Sequence, residues 1–191
     1  MKNRMFSRIS LASVIALAWL ATGCATLTPS ERAQKQNELN TMAAESVAAL
    51  IEKDTELQSV FDAAVGYMVI NMKVTKVPLV GAGGGQGVVV DKSNNKRTYV
   101  KVKRLDFGGG WGVRAFKAIF AFTDKDLLAE AASGKWAFQG GAEASVGSAS
   151  AEGSTGALSK GFEVYTLTEA GASATVTVRV IRLKPYPGMA E

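Results

Sequence analysis

The sequence contains few side chains that could carry out covalent chemistry. Cys24 is the only cysteine, and the chain has no histidine. The lack of an imidazole excludes Ser-His-Asp and Cys-His catalysis and histidine-ligated metal sites. A lone thiol cannot form a disulfide within the chain. Cys24 is therefore the one strong nucleophile whose role has to be explained.

Acidic and glycine-rich stretches give no better evidence for an enzyme. Asp124 and Asp126 fit the first turn of a helix, where the helix dipole favours carboxylates, and Glu130 and Glu143 belong to no recognisable motif. The glycine-rich stretch 81–87 has neither the G-x-G-x-x-G spacing nor the Lys-Ser/Thr ending of a phosphate-binding loop. We predict no catalytic residues, no metal site and no cofactor, and we expect a protein that is not an enzyme.

Positive charge is concentrated between residues 92 and 104. On an extended strand Lys101 and Lys103 share one face, and Val100 and Val102 share the other. The charged face could bind the anionic headgroups of lipids; the alternative is a solvated strand face whose charges prevent pairing with another strand. The candidate headgroup-binding residues are Lys92, Lys96, Arg97, Lys101, Lys103 and Arg104, and Lys73 and Lys76 could extend this patch.

Cys24 directly follows a segment with the layout of an export signal. Three basic residues precede the uncharged apolar run 9–20, which is shorter than the ~20 residues of a membrane-spanning helix. Gly23 and Cys24 resemble the end of a bacterial lipobox, and this resemblance implies that Cys24 is lipidated and becomes the new N-terminus. Ala25, which is not an Asp retention signal, implies an outer-membrane lipoprotein facing the periplasm. The alternative is an ordinary secreted protein with a free thiol, or a chain that keeps its N-terminal helix.

The net charge of +5 gives no argument for nucleic-acid binding. Residues 1–23 carry three of the 22 Lys and Arg residues and none of the 17 Asp and Glu residues. Without them the balance is 19 against 17, a net charge of +2, which is no nucleic-acid footprint.

The rest of the chain is predicted to form one domain close to the membrane. We assign 1–23 to a signal peptide, 24–29 to the lipidated N-terminus and a short tether, and 30–191 to the folded domain. Thr28 and Glu31 form a capping box, with Pro29 in the first turn, so a helix should begin here. At ~3.5 Å per extended residue the tether reaches about 14 Å.

Apolar periodicity predicts an α+β fold. Two helices come first, the second starting at Asp54 or Thr55 and ending at Gly66. They are followed by strands and by one short helix after Thr123. The helices should pack on a curved, largely antiparallel sheet, and a barrel-like sheet is the alternative. Glycines at 81–87 are predicted to allow bulges, turns or close approach of strands. The segment 140–161 is predicted to be a mixture of flexible loop and curved strands. The predicted strands are 67–72, 87–91, 97–105, 111–122, 135–146, 162–167 and 174–183.

The order and spacing of these motifs resemble the SYLF domain family, from about residue 40 to the C-terminus. The family is known as a phosphoinositide-binding module in eukaryotic membrane-trafficking and actin-associated proteins, and it occurs in bacteria in secreted or lipoprotein forms. The resemblance implies lipid binding as a class. The motifs that carry it are 49–57, 61–70, 81–90, 107–113, 121–128 and the terminal strand that ends at 181–183.

Two hypotheses about function follow. The first is a non-enzymatic, membrane-anchored periplasmic lipoprotein whose SYLF-like domain binds anionic lipid headgroups or another amphipathic ligand, and binds no nucleic acid. The second is a structural or assembly lipoprotein that contacts an envelope protein or peptidoglycan through its sheet or its Gly-Ala-Ser segment.

Replacing Cys24 by Ser should abolish incorporation of a labelled lipid precursor, because serine provides no thiolate for acylation. Metabolic labelling of cells that produce either form measures this directly. Equal labelling of the two forms would refute the lipoprotein assignment.

Overall fold

The computed structural model describes residues 27–108, 111–140, 143–145, 149–151, 161–170, 173–175 and 178–189. The predicted signal peptide and Cys24 lie outside the described residues. The helices are α1 (Pro29–Lys53), α2 (Leu57–Ala63) and α3 (Lys125–Ala132). The strands are β1 (Gly66–Lys76), β2 (Val80–Asp91), β3 (Lys96–Phe107), β4 (Gly112–Phe122), β5 (Ala137–Gly140), β6 (Glu143–Ser145), β7 (Ala149–Ala151), β8 (Phe162–Ala170), β9 (Ser173–Thr175) and β10 (Val178–Pro185).

Eight of these strands form one antiparallel sheet in the order β5-β10-β3-β2-β1-β4-β8-β7, and β6 pairs with β9. The predicted α+β fold with helices on an antiparallel sheet is confirmed. The barrel alternative is wrong, because the sheet is open: in the described residues its edge strands β5 and β7 do not pair with each other. None of the helices in the described ranges is long and apolar enough to span a bilayer.

The N-terminus of α1 is held by the predicted capping box. The Oγ1 atom of Thr28 accepts a hydrogen bond from the backbone N–H of Glu31 at 3.3 Å, and the Glu31 carboxylate accepts one from the Thr28 N–H at 2.8 Å. The hydrogen bonds from Thr28 lower the pKa of Glu31. Helix α2 begins later than predicted, at Leu57, because Asp54 accepts a hydrogen bond from the Glu56 N–H in the turn between the two helices.

Both faces of the sheet carry apolar clusters. Helix α1 lies across the strands on one face, the α1 face, where Leu39 and Leu50 pack with Val69, Val88 and Ile119. On the opposite face, the α3 face, Leu128 and Ala131 of α3 pack with Met68, Phe120 and Trp136. The α3 face is buried along most of β1 and β3, but α1 covers only one end of its own face.

The glycines at 81–87 lie inside β2 and not in a turn, so this strand is longer than predicted. Alternate glycines belong to the α3 face, where neighbouring residues occupy the space that side chains would need. A Cβ atom on Gly87 would lie 2.1 Å from the carbonyl oxygen of Val69. The predicted close approach of strands is therefore confirmed at this position. Gly84, on the α1 face, meets only the Val102 carbonyl oxygen, at 3.4 Å.

Two predicted strands each correspond to two observed ones. Strand 135–146 is replaced by β5 and β6, and strand 174–183 by β9 and β10. In both cases the two strands belong to different sheets. Apolar alternation continues across each break, and it therefore cannot show where the chain changes sheets.

Gly87→Ala should lower the free energy of unfolding by about 1–3 kcal/mol or more, because the added methyl group overlaps the β1 backbone. Gly84→Ala is the matched control and should be neutral or stabilising by up to ~1 kcal/mol. Urea denaturation followed by circular dichroism measures both. Equal midpoints for Gly87→Ala and the wild type would contradict the packing described for β2.

Candidate functional site

Positively charged side chains form two neighbouring cross-strand rows on the uncovered half of the α1 face. In one row Lys184 pairs with Lys101, and Lys117 pairs with Asn71. In the next, Arg182 pairs with Lys103. We call this surface the basic band, and its members are Lys73, Lys101, Lys103, Lys117, Arg182 and Lys184.

The band is exposed because α1 ends its coverage at the row of Tyr99. Beyond that row, the α1-face residues of β1 and β3 are exposed and the residues between them are buried. Lys101 remains accessible, and its Nζ atom lies 4.3 Å from the ring centroid of Tyr186. Five of the six cations are exposed, and Lys117 is half-buried.

The arrangement of like charges is unfavourable for the sheet itself. Lys101 lies directly opposite Lys184, and Lys103 directly opposite Arg182. Like charges at directly opposed positions destabilise a sheet. None of Lys73, Lys101, Lys103, Arg182 and Lys184 forms an ion pair with a described carboxylate. A surface that concentrates unneutralised positive charge in this way attracts anions.

Two of the candidate headgroup-binding residues, Lys101 and Lys103, lie in the band, but Lys92 does not. The Nζ atom of Lys92 donates hydrogen bonds to the carbonyl oxygens of Phe61 at 2.8 Å and Asp62 at 3.0 Å. These carbonyls lie at the C-terminal end of α2, where lysine commonly satisfies unpaired acceptors. Lys92 therefore joins β2 to α2.

Lys96 and Arg97 lie near the opposite end of the sheet, at the β2–β3 turn. Arg97 is four residues from Lys101, a separation of ~13 Å along the strand. Lys96 and Arg97 line a groove of about 860 Å³ that is also bordered by Asp91 and by Lys125 of α3. Hydrogen bonds from Ser93 lower the pKa of Asp91. The groove and the basic band are separate surfaces.

Arg104 belongs to the α3 face and is only 2 % exposed. Its Nε atom lies 2.7 Å from Oδ1 of Asp106, and its Nη2 atom donates to Oδ2 at 3.0 Å. The guanidinium also lies 5.5 Å from the ring centroid of Phe116. Its assignment to the headgroup-binding patch is wrong, because strand alternation turns its side chain to the buried face, away from the exposed face that carries Lys103. Lys76, suggested as an extension of the patch, is also buried on the α3 face.

Sequence reasoning missed three members of the band, which are Lys117, Arg182 and Lys184. The alternation of Arg182, Leu183 and Lys184 does indicate a strand with two cations on one face. Only the antiparallel register of β10 against β3 brings Arg182 and Lys184 beside Lys103 and Lys101. Lys117 joins the row of Lys101 only through the registers of β4, β1, β2 and β3.

Asp124 and Asp126 lie at the start of α3, where their role is structural. The Asp124 carboxylate accepts hydrogen bonds from the N–H groups of Asp126 and Leu127, which confirms its place at the start of α3. The side chain of Glu143 lies outside the described residues. Within the described ranges, no three acidic or cysteine side chains come together as a metal site would require.

Comparison with known proteins shows a distant similarity. No protein-family model matches the chain. Over 145 residues, or 76% of its length, the chain is 25% identical to Beta cell expansion factor A of Aeromonas veronii. The chain spans about half the length of that curated relative, since the match covers 55% of it.

Asp106→Ala should lower the free energy of unfolding by about 3–5 kcal/mol, because it leaves the Arg104 charge buried without its carboxylate. The double variant Arg104→Met/Asp106→Leu should recover most of this loss, since it removes both charges. Chemical denaturation of the three proteins tests this. If the Asp106→Ala protein were as stable as the wild type, the ion pair with Asp106 would not be what makes the buried charge of Arg104 tolerable.

Proposed function

We propose that the protein is a non-enzymatic, lipid-anchored envelope protein whose folded domain binds anionic lipid surfaces through the basic band. The observation that carries this proposal is the pair of cross-strand rows in which Lys101 faces Lys184 and Lys103 faces Arg182. A sheet that accepts such repulsion resembles other functional sites, where local stability is lower than the fold would allow.

The chemistry of the band suits a membrane better than a small ligand. Its side chains spread over β10, β3, β1 and β4, on strands spaced ~4.8 Å apart. An array that spans several strands can contact several headgroups at once. Each Lys or Arg near an anionic leaflet contributes ~1 kcal/mol, and salt screens this attraction within a Debye length of ~10 Å.

The SYLF assignment is part of this proposal. It is supported by the order and spacing of the motifs from about residue 40 onward, and by an α+β fold with helices on one antiparallel sheet. The distant relative supports a folded region shared over most of the chain, because the similarity extends over 145 residues. The band would supply a lipid-binding surface of the kind the family implies, and of the quoted motifs only the terminal strand contributes a cation to it, Arg182.

Cys24 completes the proposal as the acylated anchor of an outer-membrane lipoprotein facing the periplasm. Two or more acyl chains give stable membrane residence, whereas a single chain is marginal. The basic band would then orient an already anchored domain and recognise headgroups. Helix α1 begins at Pro29, only a few residues after the anchor.

The test is vesicle co-sedimentation of the chain from residue 24 with Cys24→Ser, so that binding does not depend on acylation. Lys101→Glu/Lys103→Glu should weaken binding to anionic vesicles at least about tenfold, because two contacts of ~1 kcal/mol each are lost. Lys125→Glu/Lys135→Glu changes the net charge equally, away from the band, and should bind like the parent protein.

Binding to anionic vesicles should also fall steeply as salt is added, whereas weak binding to zwitterionic vesicles should not. Equal losses in the two charge-reversed variants would show that only net charge matters. Unchanged binding by Lys101→Glu/Lys103→Glu would refute the band, and crosslinking to an envelope protein or glycan would then favour an assembly role.

A further inference from the structure

The end of the sheet beyond the basic band exposes a group of large apolar side chains. Trp111 is 75% exposed, Leu79 is 74% exposed and Phe107 is 52% exposed. All of the large apolar side chains that the described part of the chain leaves exposed lie at this end. We call this group the apolar tip, and it consists of Val77, Leu79, Val80, Leu105, Phe107, Trp111 and Val113.

The tip is presented by hydrogen-bonded backbone. Strands β1 and β2 are joined by a tight turn in which the Val77 N–H donates to the Val80 carbonyl at 2.9 Å. The N–H of Gly108, directly after β3, donates to the Leu79 carbonyl at 3.0 Å. These bonds hold Leu79 of the turn beside Phe107 at the end of β3. The β1–β2 turn, the end of β3 and the start of β4 therefore present their apolar side chains together at one end of the sheet.

Contiguous exposed apolar surface of this kind marks a site of interaction, whereas single exposed apolar residues do not. The partner should be apolar, because the nearest carboxylate in β3 does not reach the tip. That carboxylate, Asp106, is turned to the α3 face and bonded to Arg104. Lys76, at the end of β1, is turned to the same buried face. The charged residues that interrupt the tip in the sequence thus do not interrupt it on the surface.

The position of the basic band identifies the partner. Leu105 follows Lys103 on the same face at ~7 Å, and Phe107 follows at ~13 Å, given a rise of ~3.3 Å per residue. Apolar surfaces at a bilayer interface are buried ~5–10 Å into the headgroup and acyl boundary. With the tip at that depth, the cations of the band reach the level of the headgroups.

We propose that the apolar tip inserts into the interfacial layer of an anionic bilayer, with the sheet tilted so that the short tether from Cys24 reaches the same membrane. The inference rests on the proposed function and adds the orientation of the domain and its point of entry. Charge complementarity favours a bilayer over a second copy of the chain, because two copies meeting tip to tip would bring their basic bands together. Trp111 also suits the interface, where tryptophan is enriched.

The test is quenching of tryptophan fluorescence in the protein purified from producing cells and reconstituted into anionic vesicles. The vesicles contain phosphatidylcholine brominated either close to the headgroup or close to the end of the acyl chain. Subtracting the spectrum of Trp111→Phe isolates the Trp111 signal from that of buried Trp136. Lipid brominated close to the headgroup should quench the Trp111 signal about twofold, as expected for insertion by ~5–10 Å.

Leu79→Asp should abolish this quenching, because it places a charge in the β1–β2 turn, at the centre of the apolar tip. Since Leu79 is 74% exposed, the variant should keep the wild-type circular dichroism spectrum. Thr41→Asp adds the same charge on an exposed position of α1 and should leave quenching unchanged.

Three outcomes separate the inference from the proposed function. A Trp111 signal that neither brominated lipid quenches would overturn insertion, even if anionic binding through the band persists. Self-association that Leu79→Asp removes, without quenching, would assign the tip to a second copy and also overturn insertion. Quenching that survives Lys101→Glu/Lys103→Glu would support insertion of the tip and would refute lipid binding through the basic band.

Discussion

The limited coverage of the sheet by α1 is the constraint on which the rest of the structure depends. An α-helix with its side chains is ~10 Å wide, which matches about three residues of a strand. Strands β1, β2 and β3 are 11, 12 and 12 residues long, and α1 lies across them. It can therefore cover one end of its face only. Tyr99 and Val69 lie beneath the helix, and the residues beyond them on that face must meet water or a partner.

The two faces meet this constraint with different chemistry. On the α3 face, glycines in β2 let β1 approach closely, and burial continues along β3 as far as Asp106. The only charges that this burial tolerates in β3 are Arg104 and Asp106, which neutralise each other. On the half of the α1 face that α1 leaves uncovered, no helix excludes water, so lysines are stable there. The same strand thus carries a buried ion pair and exposed cations at alternating positions.

The uncovered half of the α1 face is divided along the strand direction. The basic band lies next to α1, and the apolar tip lies at the end of the sheet. A surface with charge above and apolar side chains below matches the profile of a membrane interface, in which anionic headgroups lie above acyl chains. An acyl anchor on Cys24 would set the distance of the domain from the bilayer, whereas the band and the tip would set its orientation. The proposed anchor would depend on the N-terminal segment alone, and the proposed orientation on the sheet.

Local signals were sufficient for those features that depend on neighbouring residues. The capping box at Thr28 and Glu31, the cap of α3 at Asp124 and the change from helical to strand periodicity near Tyr67 are all visible in short windows. The composition likewise excludes histidine chemistry without any knowledge of the fold. The glycine-rich part of β2 was harder to assign, because a strand without side chains shows no alternation.

What depends on distant residues required the tertiary structure. Arg182 and Lys184 join Lys101 and Lys103 only through the pairing of β10 with β3, which are more than 70 residues apart in the chain. Arg104 was placed with its basic neighbours because the sequence shows its charge but not the burial of its face. By itself the sequence determined the α+β class and the strand that carries the charge, since both are local patterns. The tertiary structure decided which charges are exposed, which are paired and which meet, because register and helix coverage arise from long-range packing.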